Sequence, residues 1–109
     1  MALDDERVRM RRLLAWDPSP ASTLDSAAGR TLQRVVREVF PGAIAVPVLS
    51  GGATDARRFV PLAANTYRFI PFPLTQETMK LAHAANERVP MEACGRAVRF
   101  YRRLLMENR

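Results

Sequence analysis

Two short runs hold the residues able to do chemistry in this chain: Gly51-Gly52-Ala53-Thr54-Asp55-Ala56-Arg57, and His83-Ala84-Ala85-Asn86-Glu87-Arg88, which carries the one histidine. An imidazole can ligate a metal or move a proton, but a zinc site takes three or four protein ligands, so His83 cannot build one by itself. Taken as an isolated residue it reads more readily as a satisfied structural histidine. Glu87 reads equally as an acceptor behind that histidine, as an acid at a helix start or as a solvated side chain. Gly51 and Gly52 admit two readings: paired glycines let backbone N–H groups approach an anion at a following helix N-terminus, or they form a tight turn needing positive φ. Thr54 and Asp55 have the short polar side chains that cap a helix. Arg57 can grip a carboxylate through two parallel N–H donors, a geometry lysine does not offer.

The elements around these runs follow from hydrophobic spacing. Val8, Met10, Leu13 and Leu14 between arginines suit a half-buried strand ended by Asp17-Pro18-Ser19-Pro20. Ser22 and Asp25 read as a helix start, and Leu24, Ala28, Leu32, Val35, Val36 and Val39 then recur at helical spacing with arginines opposite, up to Phe40-Pro41-Gly42. Ile44 to Leu49 is apolar throughout and reads as a buried strand, with Pro47 demanding an edge or a bulge. A short helix through Phe59 follows Thr54. Thr66 to Phe72 reads as another strand, and Thr75 to Ala82 as a short helix capped by Thr75 with Met79 and Ala82 inward. Pro90 suits the start of a last helix whose stripe is Met91, Cys94, Val98, Tyr101 and Leu105, fraying at Glu107-Asn108-Arg109. Strand, helix, strand, helix, strand, helix, helix implies an α/β layer arrangement.

Composition confines the functional classes. The 109 residues suffice for one domain with a modest core, and 48% hydrophobic with 26% charged residues is a globular balance. The net charge is +6, and Lys80 is the single lysine. Arg30, Arg34 and Arg37, then Arg96, Arg99, Arg102 and Arg103, are spaced as solvated helix faces, and no RNA motif, zinc finger or recognition helix accompanies them. Nucleic-acid binding is therefore expected to be weak and electrostatic. Cys94 is the lone cysteine, read as a buried, inert thiol in a reducing compartment. No signal peptide or membrane span is visible, so a cytoplasmic location is expected.

Taken in order, the proline-rich turn, helix, apolar strand, Gly-Ala-Thr-Asp-Ala-Arg (52–57), Tyr67-Arg68-Phe69-Ile70-Pro71, His83-x-x-Asn86-Glu87-Arg88 and closing amphipathic helix resemble the C-terminal part of a zinc exopeptidase family. That family contains aminoacylase, succinyl-diaminopimelate desuccinylase and carboxypeptidase S, and the Tyr67 to Pro71 stretch is most similar to the branch of carboxypeptidase S and N-acyl amino acid hydrolases. The resemblance implies residues 1–16 as a remnant of the last lid-domain strand and residues 17–109 as the C-terminal part of an α/β catalytic domain. Its sheet would be flanked by helices and, being incomplete, closed by self-association or by a missing N-terminal half. It implies a two-zinc centre with His83 as a metal ligand, Asp55, Asn86 and Glu87 supporting the site, and Gly51, Gly52, Thr54 and Arg57 lining the substrate pocket, Arg57 beside a substrate carboxylate. The remaining ligands and the general base belong to the family's N-terminal half, so the chain alone is expected to be inactive and to hold no zinc tightly. Ala84 stands where the family usually has glycine, and Pro90 where it often has serine. Two other classes stand beside this reading: a non-catalytic interaction protein pairing through strand edges, and a small basic nucleic-acid binder.

Overall fold

Ser26, not Ser22, starts the first helix. Its Oγ accepts the Gly29 N–H at 3.0 Å, and α1 runs over Ala27–Val39. Leu24 lies before that helix and instead uses its carbonyl, which accepts from Gln33 Nε2 at 3.2 Å. The approach is so close that a Cβ on Gly29 would fall 2.5 Å from the Leu24 carbonyl oxygen. Phe40, Pro41 and Gly42 end α1 as expected, Gly42 taking a positive φ of 85°. The computed structural model describes residues 7–9, 11 and 13–107.

A 3₁₀ turn spans Asp55–Arg58, α2 spans Gln76–Lys80 and α3 spans Met91–Met106. Thr75 caps α2 in a reciprocal box with Thr78, while Pro90 stands just outside α3 with no side-chain cap. Met79 and Ala82 face solvent rather than a core. Among the described residues, α1 and α3 are the helices that pack together. Val35, Val36, Val39 and Phe100 form the centre, with Ala93 and Ala97 buried on the same face of α3. Phe69 and Phe40 close over Phe100, their ring centroids 4.8 and 6.2 Å away.

The stripe expected to face the core of α3 therefore faces outward: Met91, Val98 and Leu105 are 85%, 69% and 70% exposed. Cys94, on that stripe, is exposed too, which corrects its reading as a buried thiol. Two apolar stripes lie side by side on α3, and α1 covers the one made of Ala93, Ala97, Phe100 and Leu104.

No strand forms among the described residues, so the α/β expectation is met here only by its helical part. The Ile44 to Leu49 run forms no strand, with Ile44 and Leu49 86% and 98% exposed. Leu13, Leu14 and Trp16 are likewise exposed and outside any ladder, and residues 1–6, 10 and 12 of the expected lid strand lie outside the described residues. A strand needs a neighbour within about 4.8 Å, and local sequence does not supply one. Thr66 to Phe72 comes nearest to a paired strand. Thr66 has both its backbone groups taken by one side chain: Ser22 Oγ accepts its N–H at 2.8 Å and donates to its carbonyl at 3.0 Å. Asn65 Oδ1 accepts the Thr23 N–H at 3.0 Å, and the Tyr67 hydroxyl, 2.7 Å from Ser26 Oγ, donates to the Thr23 carbonyl at 2.6 Å. These contacts lay residues 65–71 along the helix pair and bury Pro71.

Four charged side chains clasp the two helices. Arg103 Nε donates to Glu38 Oε2 at 2.7 Å, Arg34 reaches both Glu38 and Glu107, and Arg103 also meets Glu107. Hydrogen bonding to Arg34 holds the Glu107 carboxyl down at about 2, and Arg103 lowers Glu38 in the same way. No described helix is long and apolar enough to cross a membrane.

Candidate functional site

After Lys80 the chain curls through a tight reversal, in which the Ala84 N–H bonds the Leu81 carbonyl at 3.0 Å and the Glu87 N–H the Ala84 carbonyl at 3.3 Å. Two residues in it, His83 at φ 61° and Asn86 at φ 67°, occupy the left-handed region. Both residue types are enriched there among non-glycines, and Asn is the most tolerant because its short amide bonds locally. Ala84 carries no positive φ, so this turn does not require glycine after the histidine. Glu87 Oε2 accepts the His83 backbone N–H at 3.1 Å. The carboxylate thus fixes the histidine's main chain and leaves the exposed imidazole free to meet a ligand.

The second segment is organised around arginines. Thr54 Oγ1 accepts the Ala56 N–H at 3.3 Å and so caps the 3₁₀ turn, as expected of it, while Asp55 pairs with Arg58 at 3.5 Å. The Arg57 guanidinium lies over the indole of Trp16, 4.0 Å from the ring centroid. Stacking of this kind orients a guanidinium while leaving its N–H edge available. Arg68 donates to the Gly52 carbonyl at 3.0 Å and draws the glycine segment onto the 65–71 strip. Neither Gly51 nor Gly52 has positive φ, and a Cβ on either would meet nothing, so the tight-turn reading of the pair does not hold in this conformation. A four-residue 3₁₀ turn is also too short to act as an anion-binding helix end.

Two contacts join sequence-predicted residues within a segment: Glu87 accepts the His83 N–H, and the Thr54 carbonyl accepts the Arg57 N–H at 3.3 Å, while Asp55 and Gly52 pair with Arg58 and Arg68. Among the described residues no hydrogen bond or ion pair joins the two segments, and no three His, Cys, Asp or Glu side chains converge on a point where a metal could sit. One imidazole does not fit a zinc site unaided. Sequence reasoning passed over Trp16 and Arg68. Trp16 is the lone tryptophan, and Arg68 lies inside the Tyr67 to Pro71 run, but neither spacing announces a partner so distant in the chain.

Residues 7–107 match the family described as Peptidase family M20/M25/M40. The chain belongs to that family. Among curated proteins it is 38% identical over 107 residues to the N-fatty-acyl-amino acid synthase/hydrolase PM20D1 of Xenopus tropicalis, covering 97% of this chain and 21% of that protein. The Homo sapiens protein of the same name is 38% identical over 99 residues, covering 88% and 20%. Probable carboxypeptidase S-like 2 of Dictyostelium discoideum is 27% identical over 104 residues, covering 94% and 20%. The resemblance read from the motifs thus names the right family and branch. The chain spans about a fifth of the length of these relatives. No solved structure matches it.

Proposed function

We propose that this chain is the part of an M20 peptidase or amidohydrolase that contributes His83 to a zinc centre and Arg57 to the binding of a substrate carboxylate, the substrates being N-acyl amino acids or small peptides. The observation that carries the reading is the His83 turn, where Glu87 pins the backbone N–H and leaves the imidazole exposed, in a segment matching a family that is generally zinc-dependent. In such a site a bound metal would polarise a carbonyl and lower the pKa of a water. What this chain's own residues supply is position: an exposed imidazole on a main chain that Glu87 fixes, and a guanidinium held over Trp16.

Hydrolysis also needs a base to take the proton from the attacking water and further metal ligands, and the described residues contain no group of three His, Cys, Asp or Glu side chains to supply those ligands. The chain alone is accordingly inactive on this reading, and activity requires the remainder of an M20 catalytic domain. The test is a zinc-supplemented assay of N-acyl amino acid hydrolysis with three preparations: the chain alone, the chain beside the Xenopus tropicalis relative from which the matching region has been deleted, and the same pair with His83→Ala. Hydrolysis is expected only in the second, abolished by chelator and by the substitution. Chelator-sensitive turnover by the chain alone, or full activity of the His83→Ala pair, would overturn the proposal.

A further inference from the structure

The outer face of α3 is an apolar surface that α1 leaves exposed. Ala93, Ala97, Phe100 and Leu104 turn toward α1, whereas Cys94, Val98, Tyr101 and Leu105 form a second stripe about a quarter-turn away. Phe72 joins them to line an open groove of about 830 Å³. Their spacing of four, three and four residues, preceded by Met91 three residues earlier, is the a/d repeat by which one helix packs against another. An apolar arc covering half the helix exceeds what a surface helix of a self-contained domain presents.

The dimensions of the whole chain agree. Its accessible surface is 9978 Å², against about 6,100 Å² for a compact monomer of this mass. Its radius of gyration is 18.1 Å, where about 13 Å is expected of a compact domain of this length. Charge weighs against a second copy as the missing cover: each chain carries +6, and Arg102 lines the groove itself. Length points to another occupant. Relatives that match nearly the whole chain are about five times longer, so in them this unit is about a fifth of the protein and the other four-fifths is built together with it.

We infer that the Cys94, Val98, Tyr101 and Leu105 stripe of α3, with Phe72, is the docking surface for the remainder of an M20 peptidase domain, whether that remainder lies on the same polypeptide or on another. The inference rests on the proposed function for the identity of the partner, but it concerns binding, which is measured separately from hydrolysis. The probe is the Xenopus tropicalis relative with the matching region removed, co-expressed with this chain and purified through a tag on the chain. Association is followed by light scattering, and cover over the groove by maleimide labelling of Cys94.

A one-to-one complex is expected, with Cys94 labelled at least tenfold more slowly than in the free chain. Val98→Glu and Leu105→Glu should weaken the complex at least tenfold, and Arg37→Gln, on the solvent side of α1, should leave it unchanged. Both acidic variants alter exposed side chains, and circular dichroism of the free variants checks that their helices persist. His83→Ala should keep the complex while losing hydrolysis, so a complex without activity counts against the proposed function and not against the docking surface. Absence of a soluble complex, a complex indifferent to both acidic variants, or a homodimer of the chain that Val98→Glu dissolves would each overturn the inference.

Discussion

His83 and Asn86 hold a backbone conformation that costs an L residue about 1–2 kcal/mol, and they hold it within one turn. Asn86→Gly should therefore stabilise the chain, by up to about 1 kcal/mol, whereas Asn86→Val, with a branched Cβ at positive φ, should destabilise it by about 1–2 kcal/mol. Urea unfolding of the two variants measures both, and equal midpoints would mean that the turn relaxes freely. Arg57 belongs to the same scale. Trp16→Ala removes the surface on which the guanidinium lies, so in the complemented enzyme it should raise KM for a carboxylate-bearing substrate more than it lowers kcat. What the sequence disclosed here was residue type: a unique histidine, an acid four residues on, an arginine after paired glycines. The positive φ values and the Arg57–Trp16 stack were not legible, because they depend on how the turn closes and on a partner forty-one residues away.

Helices were legible and strands were not, for a physical reason visible in α1 and in residues 44–49. The α1 bonds are local, and Val35, Val36 and Val39 reach the core as their spacing requires. Ile44 to Leu49 has a strand's composition, but its pairing must come from elsewhere, and without a neighbour it forms no strand and stays exposed. The stripe on α3 was misjudged because half the helix is apolar, and periodicity does not say which half α1 covers. Two glycines test the packing. Ala ordinarily stabilises a helix interior relative to Gly by about 0.5–1 kcal/mol, and Gly95→Ala, with open space around its Cβ, should gain that amount. Gly29→Ala should lose stability instead, since its Cβ would strike the Leu24 backbone. A raised melting temperature for both would refute the close approach of residue 24 to α1. The ion-pair clasp adds a pH dependence of known sign. Glu38 and Glu107 are held below the usual carboxylate range, so their contribution is present above the unfolded pKa of about 4.3 and is lost as pH falls through their lowered values, about 2 for Glu107. Glu107→Gln should flatten the fall in melting temperature between pH 5 and 2, and salt should weaken the effect because all four groups are solvent-screened.

At the scale of the molecule, the small core and the large surface set how the chain unfolds. The urea dependence of unfolding scales with the surface newly exposed, and a chain that already shows 9978 Å² has less left to expose than a compact protein of 109 residues. Its m-value should therefore fall at or below the lower end of the range of about 1–3 kcal/mol/M found for small proteins in urea. Exposed Ile44, Val48, Leu49, Val98 and Leu105 should also bind a hydrophobic dye under native conditions, as a collapsed but incompletely packed state does. Helical circular dichroism should persist, because the α1–α3 contact that buries Phe100 does not depend on those surfaces. Complementation should reverse both signs together: dye binding should drop and the m-value rise as residues 44–49 and the α3 stripe are covered. A free chain that unfolds sharply, with an m-value ordinary for its length and no dye binding, would show that it closes these surfaces by itself, and the case for a large missing partner would then fail at its physical root.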